Sequence, residues 1–253
     1  MKLDINCDMG EGFGLSRLNE DLGILKWVTS TNIACGFHAG DPHIIARLVE
    51  ASLKQGVKIG AHPGYHDVHG FGRRSMHMST KEVYELVLYQ VSALDGITKA
   101  LGGTLHHVKL HGALYNEASE RPEFAEAVVR AVSDVRDDLA VYALSGSPLV
   151  ELCLEFGIPV AEEVFADRAY LPTGRLAPRE LEGSMLIGKE EQMNQACKLV
   201  LEQKVQTVDG GEIELTADTL CISSDNLNIV PFLMDLHRWA NQNGVSIEPI
   251  DLT

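Results

Sequence analysis

The feature that most constrains this chain is an alternation, repeated along its length, of a short apolar run, a polar glycine-bearing loop and a longer helical stretch. Strand-like runs fall at 3–7, 32–35, 57–61, 105–110, 140–144, 160–165, 219–222 and 245–250. Helical patterning falls at 21–29, 42–55, 80–101, 122–135, 148–156, 190–203 and 227–243. Runs this short and this apolar suit strands buried on both faces, as in a parallel sheet covered by helices. The helix ends carry their own signals: Pro42, Pro122 and Pro148 stand where a first turn needs no N–H, and Ser79 with Glu82 reads as a capping box. Gly56, Gly102, Gly157 and Gly244 follow helices as C-cap residues. One segment interrupts the alternation: Asp209-Gly210 between short runs at 205–208 and 212–215 reads as a small β-hairpin insertion. No Pro/Ser-rich linker, charge block or low-complexity tract divides the chain, so residues 1–253 read as a single domain. Seven or eight βα units in one domain favour a closed or nearly closed, βα-barrel-like α/β fold over an open doubly wound sheet.

Charge narrows the partners. Lys+Arg number 21 against 36 Asp+Glu, a formal net charge of −15, and such a field repels phosphate backbones and anionic lipid. Nucleic acid and membrane are therefore not expected. The start, Met1-Lys2-Leu3-Asp4, has no secretory signature and no run reaches spanning length, so a cytoplasmic protein is expected. Cys7, Cys35, Cys153, Cys197 and Cys221 are odd in number and lack CxxC spacing, which argues for reduced thiols and against a thiolate zinc site.

In parallel βα folds the loops after the strands converge on one face and carry the chemistry. Here those loops hold the ionisable residues: Asn6 to Gly14, Cys35 to Asp41, Ala61 to His66 running on to Arg74, Val108 to Asn116, Glu162 to Arg168 and Ser223 to Asn226. The turns that enter the strands are mostly plain Gly, Val and Lys. His38, His62 and His111 each follow a different strand among glycines, whereas His43, His77, His106 and His237 fall at helical or alternate strand positions and read as structural. Three strand-end histidines with Asp8 or Asp225 have the chemistry to bind zinc or manganese, but no HExxH or paired helical spacing supports it, so no metal is assigned. Lys109, Arg73, Arg74 and Arg168 in the same loops suggest a local anion pocket, with pairing to Asp41, Asp67 or Asp167 as the plainer reading.

These loops resemble the LamB/YcsF family, the A subunits of prokaryotic 5-oxoprolinases. The matching runs are NCDMGEGFG (6–14), NIACGFHAGD (32–41), GAHPGY (60–65), GFGRR (70–74), YQVSAL (89–94), HGALYN (111–116) and EVFADR (163–168), in the family's order. The resemblance implies a barrel related to the glycoside hydrolase/deacetylase superfamily. It also implies hydrolysis of 5-oxoproline to L-glutamate with ATP as co-substrate and with two partner subunits, B and C. Three departures stand out: Leu110 where the family usually has Pro, His66 before Asp67 where it has another Pro, and Ser223-Ser224-Asp225 where it has His-Gly-Asp. Only Asp225 carries over from that last motif.

A five-membered lactam recloses readily because amine and acyl group are held together, so opening it needs a driving reaction. Phosphorylation of the lactam oxygen would make the ring carbon electrophilic. The site then needs a base, groups that hold developing negative charge, and an acid for the departing nitrogen. The candidates are Asp8 or His62 as base, Lys109 with Arg73 and Arg168 as anion stabilisers, and His111 as proton donor. Glu11, Asn32, His38, Asp41, Asp167 and Asp225 would bind substrate or orient those groups. Two rival readings stay open: a metal-dependent amidase or deacetylase acting without ATP, and a non-catalytic subunit that binds a lactam or its partners.

Overall fold

The computed structural model describes residues 1–12, 18–223 and 229–251. In chain order the elements are β1 (Lys2–Met9), α1 (Leu18–Ile24) with a 3-10 turn at Leu25–Trp27, β2 (Ser30–Ala34), α2 (Pro42–Gln55), β3 (Lys58–His62) and α3 (Thr80–Ala100). There follow β4 (His107–Lys109), α4 (Gly112–Glu120), α5 (Pro122–Val135), β5 (Ala140–Leu144), α6 (Pro148–Phe156), β6 (Val160–Phe165) and α7 (Lys189–Glu202). The chain ends in β7 (Lys204–Gln206), β8 (Glu212–Glu214), β9 (Thr219–Ile222), α8 (Ile229–Gln242) and β10 (Ser246–Ile247).

Strands β1 to β6 and β9 pair in parallel, and β1 pairs with both β2 and β9, so seven strands close into a barrel. Strand β10 adds to the N-terminal end of β1. The antiparallel pair β7–β8 is the expected hairpin, its turn held by Asp209, whose carboxylate accepts from the Thr207 hydroxyl at 2.5 Å and the Gly211 amide at 3.2 Å. The capping signals hold as read: Ser79 and Glu82 cap each other's backbone, Pro42, Pro122 and Pro148 occupy first turns, and Gly56 and Gly157 end their helices with φ of 70° and 69°. Two placements differ. His77 lies in the irregular segment before α3, and the HGALYN run, read as a loop, opens α4. Gly112 makes that possible: at φ 57° it turns the chain straight from β4 into a helix, where a Cβ would meet the Gly72 carbonyl oxygen at 2.5 Å. Among the described residues no helix is long and apolar enough to cross a membrane.

The barrel interior is polar, which is unusual where bulky branched residues normally fill such a lumen. Along β1, Leu3, Ile5, Cys7 and Met9 join the apolar core while Asp4, Asn6 and Asp8 alternate with them and bond to one another's neighbours. At the lower end Asp4 accepts from the hydroxyls of Thr29 (2.6 Å), Ser30 (2.7 Å) and Thr219 (2.5 Å). One layer up, Asn6 donates to Glu163 at 2.9 Å and Asn32 donates to Asn6 at 2.8 Å. Buried polar groups persist only when paired in this way, and pairing makes the column rigid.

His107 locks this column, stacking on Tyr142 at 3.9 Å between ring centroids and donating from Nε2 to the side-chain Oδ1 of Asn32 at 2.7 Å. Gly60 makes room for it: a Cβ there would stand 2.1 Å from His107 Nε2. Gly60→Ala is therefore expected to cost at least about 1–3 kcal/mol, because the ring has nowhere to retreat. A lowered denaturant midpoint at unchanged slope is the measurement; an unchanged midpoint would show that the lumen can repack.

Candidate active site

Strand ends and the loops after them surround a cavity of about 400 Å³ lined by Asp8, Glu11, His62, Lys109 and His111, with Arg73, Arg168 and Arg179 and with Tyr115 and Glu117 of α4. The polar column rises into it. Lys109 at the end of β4 is 2% exposed, and its Nζ lies 2.9 Å from Asp8 Oδ1, 3.0 Å from Glu163 Oε1 and 3.0 Å from Cys221 Sγ. Asp8 Oδ1 also accepts from Asn32 at 2.9 Å, and Asp8 Oδ2 lies 3.5 Å from His62 Nε2.

Charge decides the protonation states here. Burial pushes the Asp8 carboxyl up, but the neighbouring charges of His62 and Lys109 outweigh it and hold it well below the usual carboxylate range. Burial opposes the Lys109 ammonium, yet Asp8, Cys221 and Glu163 keep its pKa well above the ordinary lysine value. Glu163 goes the other way, its pKa raised because burial exceeds the pull of Lys109. The result is a buried ammonium shared between an ionised carboxylate at the cavity and a second carboxyl beneath it.

Beside this pair lies a cluster of histidines. The His38 ring stacks on His111 at 3.7 Å, and His111 Nδ1 lies 3.0 Å from His62 Nε2 and 3.1 Å from Glu11 Oε1. Burial lowers the His38 pKa to about 3. Glu11, His38, His62 and His111 each offer one ligating atom, all within 4.8 Å of one another, and so have the composition and spacing of a metal-binding group. The 70–74 loop builds one wall. Phe71 adopts φ 54°, a conformation that costs a non-glycine residue on the order of 1–3 kcal/mol, and its carbonyl accepts from His111 Nε2 at 2.7 Å. Arg74, outside, ties the loop down through Asp67.

Asp8, Glu11, His62, Lys109, His111, Arg73 and Arg168 thus come to one cavity, with His38 packed behind His111. Arg168 donates to the Ala177 carbonyl at 2.7 Å, and burial with the nearby Arg179 charge lowers its pKa to about 10. Asn32 sits beneath the cavity and orients Asp8. Asp167 is buried beside Arg168, outside the lining, with its pKa raised by burial. Asp41 is not among the residues lining the cavity: its Oδ1 accepts from the amides of His43 (2.9 Å) and Ile44 (3.0 Å) as the N-cap of α2. His111 corrects the sequence reading. Nε2 is committed to the Phe71 carbonyl and Nδ1 faces His62 and Glu11, so neither nitrogen is placed to hand a proton to a substrate. Asp225 lies outside the described residues.

Two groups carry no role in the sequence reading. Glu163 falls within the 162–168 run of ionisable residues but lies within an apolar strand, where a carboxylate inside a buried run is itself a signal. Arg179 lies in the long irregular connection between β6 and α7, where no periodicity marks it.

Comparison with known proteins fits this geometry. The A subunit of the 5-oxoprolinase from Tolumonas auensis is 45% identical over 247 residues, 98% of each chain. That of Brevibacillus brevis is 43% identical over 97% of this chain and 96% of its own. The crystal structure of a lactam utilization protein from Thermus thermophilus superposes with a TM-score of 0.89 at 42% identity, covering 99% of this chain and 100% of that one. The LamB/YcsF family model matches residues 3–253, and the chain belongs to the LamB/YcsF family.

Proposed function

We propose that this chain is the A subunit of an ATP-dependent 5-oxoprolinase, opening 5-oxoproline to L-glutamate with ATP as co-substrate and B and C subunits as partners. The observation that carries the reading is the ionised Asp8 held by Lys109 at the edge of a cavity also lined by Arg73, Arg168 and Arg179. 5-Oxoproline is a small lactam with one carboxylate, and planar guanidinium groups bind carboxylates in fixed orientation. The names of the relatives support the same substrate class.

In this reading the lactam oxygen takes the γ-phosphoryl group of ATP and ADP departs. Water then adds to the ring carbon, giving its proton to Asp8. Asp8 returns that proton to the nitrogen, the C–N bond breaks, and the nitrogen leaves as the amine. The acyl phosphate that remains is hydrolysed by a second water to glutamate and phosphate. Lys109 holds negative charge on the oxygens of the adduct, where a preorganised cation in a dry site is most effective.

Mixing the chain with B and C subunits, 5-oxoproline and ATP is expected to release glutamate, and omission of ATP or of either partner is expected to stop it. Glutamate release without ATP would favour the amidase reading, and none from the complete mixture would favour the non-catalytic one. Arg168→Gln is expected to raise KM for 5-oxoproline about 10- to 100-fold with a smaller change in kcat, the worth of about 1.5–3 kcal/mol for a charged hydrogen bond. An unchanged KM would remove Arg168 from carboxylate binding.

A further inference from the structure

We infer that Glu11, His38, His62 and His111 form a binding site for one divalent transition-metal ion of the zinc class, set against Asp8 at the inner end of the cavity. The inference stands on ligand geometry and is independent of the lactam reading.

Tautomers provide the first argument. His62 Nδ1 lies 2.8 Å from the Lys109 carbonyl oxygen, and His111 Nε2 lies 2.7 Å from the Phe71 carbonyl oxygen. A carbonyl only accepts, so both of those nitrogens carry hydrogen, and in neutral rings His62 Nε2 and His111 Nδ1 present lone pairs. These two lone pairs face one another at 3.0 Å. Both also face Glu11 Oε1, at 3.6 Å from His62 and 3.1 Å from His111. Three acceptors converging in this way repel unless a cation, either a metal ion or a proton carried by one of the rings, lies among them. Backbone carbonyls behind metal-bound imidazoles are the usual means of fixing ring orientation.

The second argument comes from unmet bonding. Among the described residues, Glu11 Oε1 and both nitrogens of the fully buried His38 have no hydrogen-bond partner, with His38 Nε2 placed 3.4 Å from Glu11 Oε1. Leaving buried polar atoms unpaired costs about 1–3 kcal/mol each, and one ion would satisfy Glu11 Oε1 and His38 Nε2 together. Spacing agrees. Ligands at about 2.0–2.1 Å from a tetrahedral ion lie roughly 3.3 Å apart, and here Glu11 lies 3.1–3.6 Å from the three rings and His62 lies 3.0 Å from His111, with all four ligand atoms within 4.8 Å of one another.

The surroundings are shaped for the cluster. A Cβ on Gly64 would come 2.8 Å from His38 Nδ1, and one on Gly72 would come 2.9 Å from both His38 Cβ and His111 Cδ2. Three imidazoles with one carboxylate suit zinc, cobalt, nickel or iron(II) and disfavour calcium and magnesium, which prefer oxygen. Asp8 Oδ2, 3.5 Å from His62 Nε2, borders the site on the cavity side.

The test uses the full chain, purified without chelator. Metal analysis is expected to find about one equivalent per chain. After chelation and dialysis, cobalt(II) chloride is expected to restore one equivalent, with visible d–d absorption of nitrogen-rich coordination, and zinc chloride to displace it and raise Tm. Glu11→Gln and His38→Gln are expected to weaken cobalt binding by more than the ~10–100-fold that outer partners of a ligand are worth, with far-UV circular dichroism unchanged. A folded wild-type chain that neither carries metal nor takes up cobalt or zinc would overturn the site and leave a shared proton as the cation. Binding that both variants retain would place the metal elsewhere and overturn it equally. Should either variant fail to fold, the wild-type stoichiometry and cobalt spectrum decide alone. Glutamate release enters none of these readouts, so loss of the metal site and loss of the lactam reading are separable.

Discussion

Asp8→Asn is expected to lower turnover of the assembled enzyme by about 10²–10⁴-fold, the range a positioned general base supplies, while the chain folds normally. The substitution keeps the shape of the side chain and removes only its charge and its capacity to take a proton. Lys109 and Asn32 both donate to Oδ1, at 2.9 Å each, so the amide oxygen must occupy that position and the amide NH₂ must turn toward His62. The group that faces the cavity then becomes a donor, the opposite of what an attacking water requires. Steady-state kinetics with the B and C subunits present is the measurement, with circular dichroism to confirm the fold. Turnover within about tenfold of wild type would show that the water's proton goes to another group, since general-base contributions begin near 10²-fold.

Much of this arrangement is legible in the sequence because its signals are local. Pro42, Pro122 and Pro148 with the glycine C-caps mark helix ends through backbone sterics alone, so α2, α5 and α6 fall at their expected bounds. The strand-end loops gather the ionisable residues, so the convergence of Asp8, His62, Lys109 and His111 follows once the barrel closes. What stays hidden depends on tertiary contacts. Nothing in HGALYN announces α4, whose first residue has no side-chain cap and whose sharp entry depends on the Gly112–Gly72 contact. Asp41 looks like its polar neighbours, and only the helix it caps shows where its Oδ1 goes. The role of His111 turns on which carbonyl faces Nε2, a matter of register between the 70–74 loop and α4. The polar lumen was visible in principle, since Asp4, Asn6 and Asp8 alternate with apolar residues in β1, yet a strand expected to be buried on both faces invites the assumption that both are apolar.

Lys109→Met is expected to destabilise the chain by about 3–5 kcal/mol, the cost of removing one partner from a buried ion pair. Methionine fills much of the lysine stem's volume, so the loss is electrostatic rather than a cavity. Without the ammonium, Asp8 and Glu163 face each other across the lumen, and the Cys221 sulfur and Asn6 carbonyl lose a donor. Adding Glu163→Gln removes one of the two stranded carboxyls while its oxygen still accepts from Asn6 Nδ2, the bond now 2.9 Å long. The double variant is therefore expected to be more stable than Lys109→Met alone, with a coupling energy of about 0.5–3 kcal/mol in a double-mutant cycle. Urea denaturation of the four species reads it. Should Lys109→Met cost less than about 1 kcal/mol, as breaking an exposed pair would, the lumen must admit water despite the 2% exposure of Lys109. The dry, preorganised cation on which charge stabilisation in the cavity relies would then be lost with it.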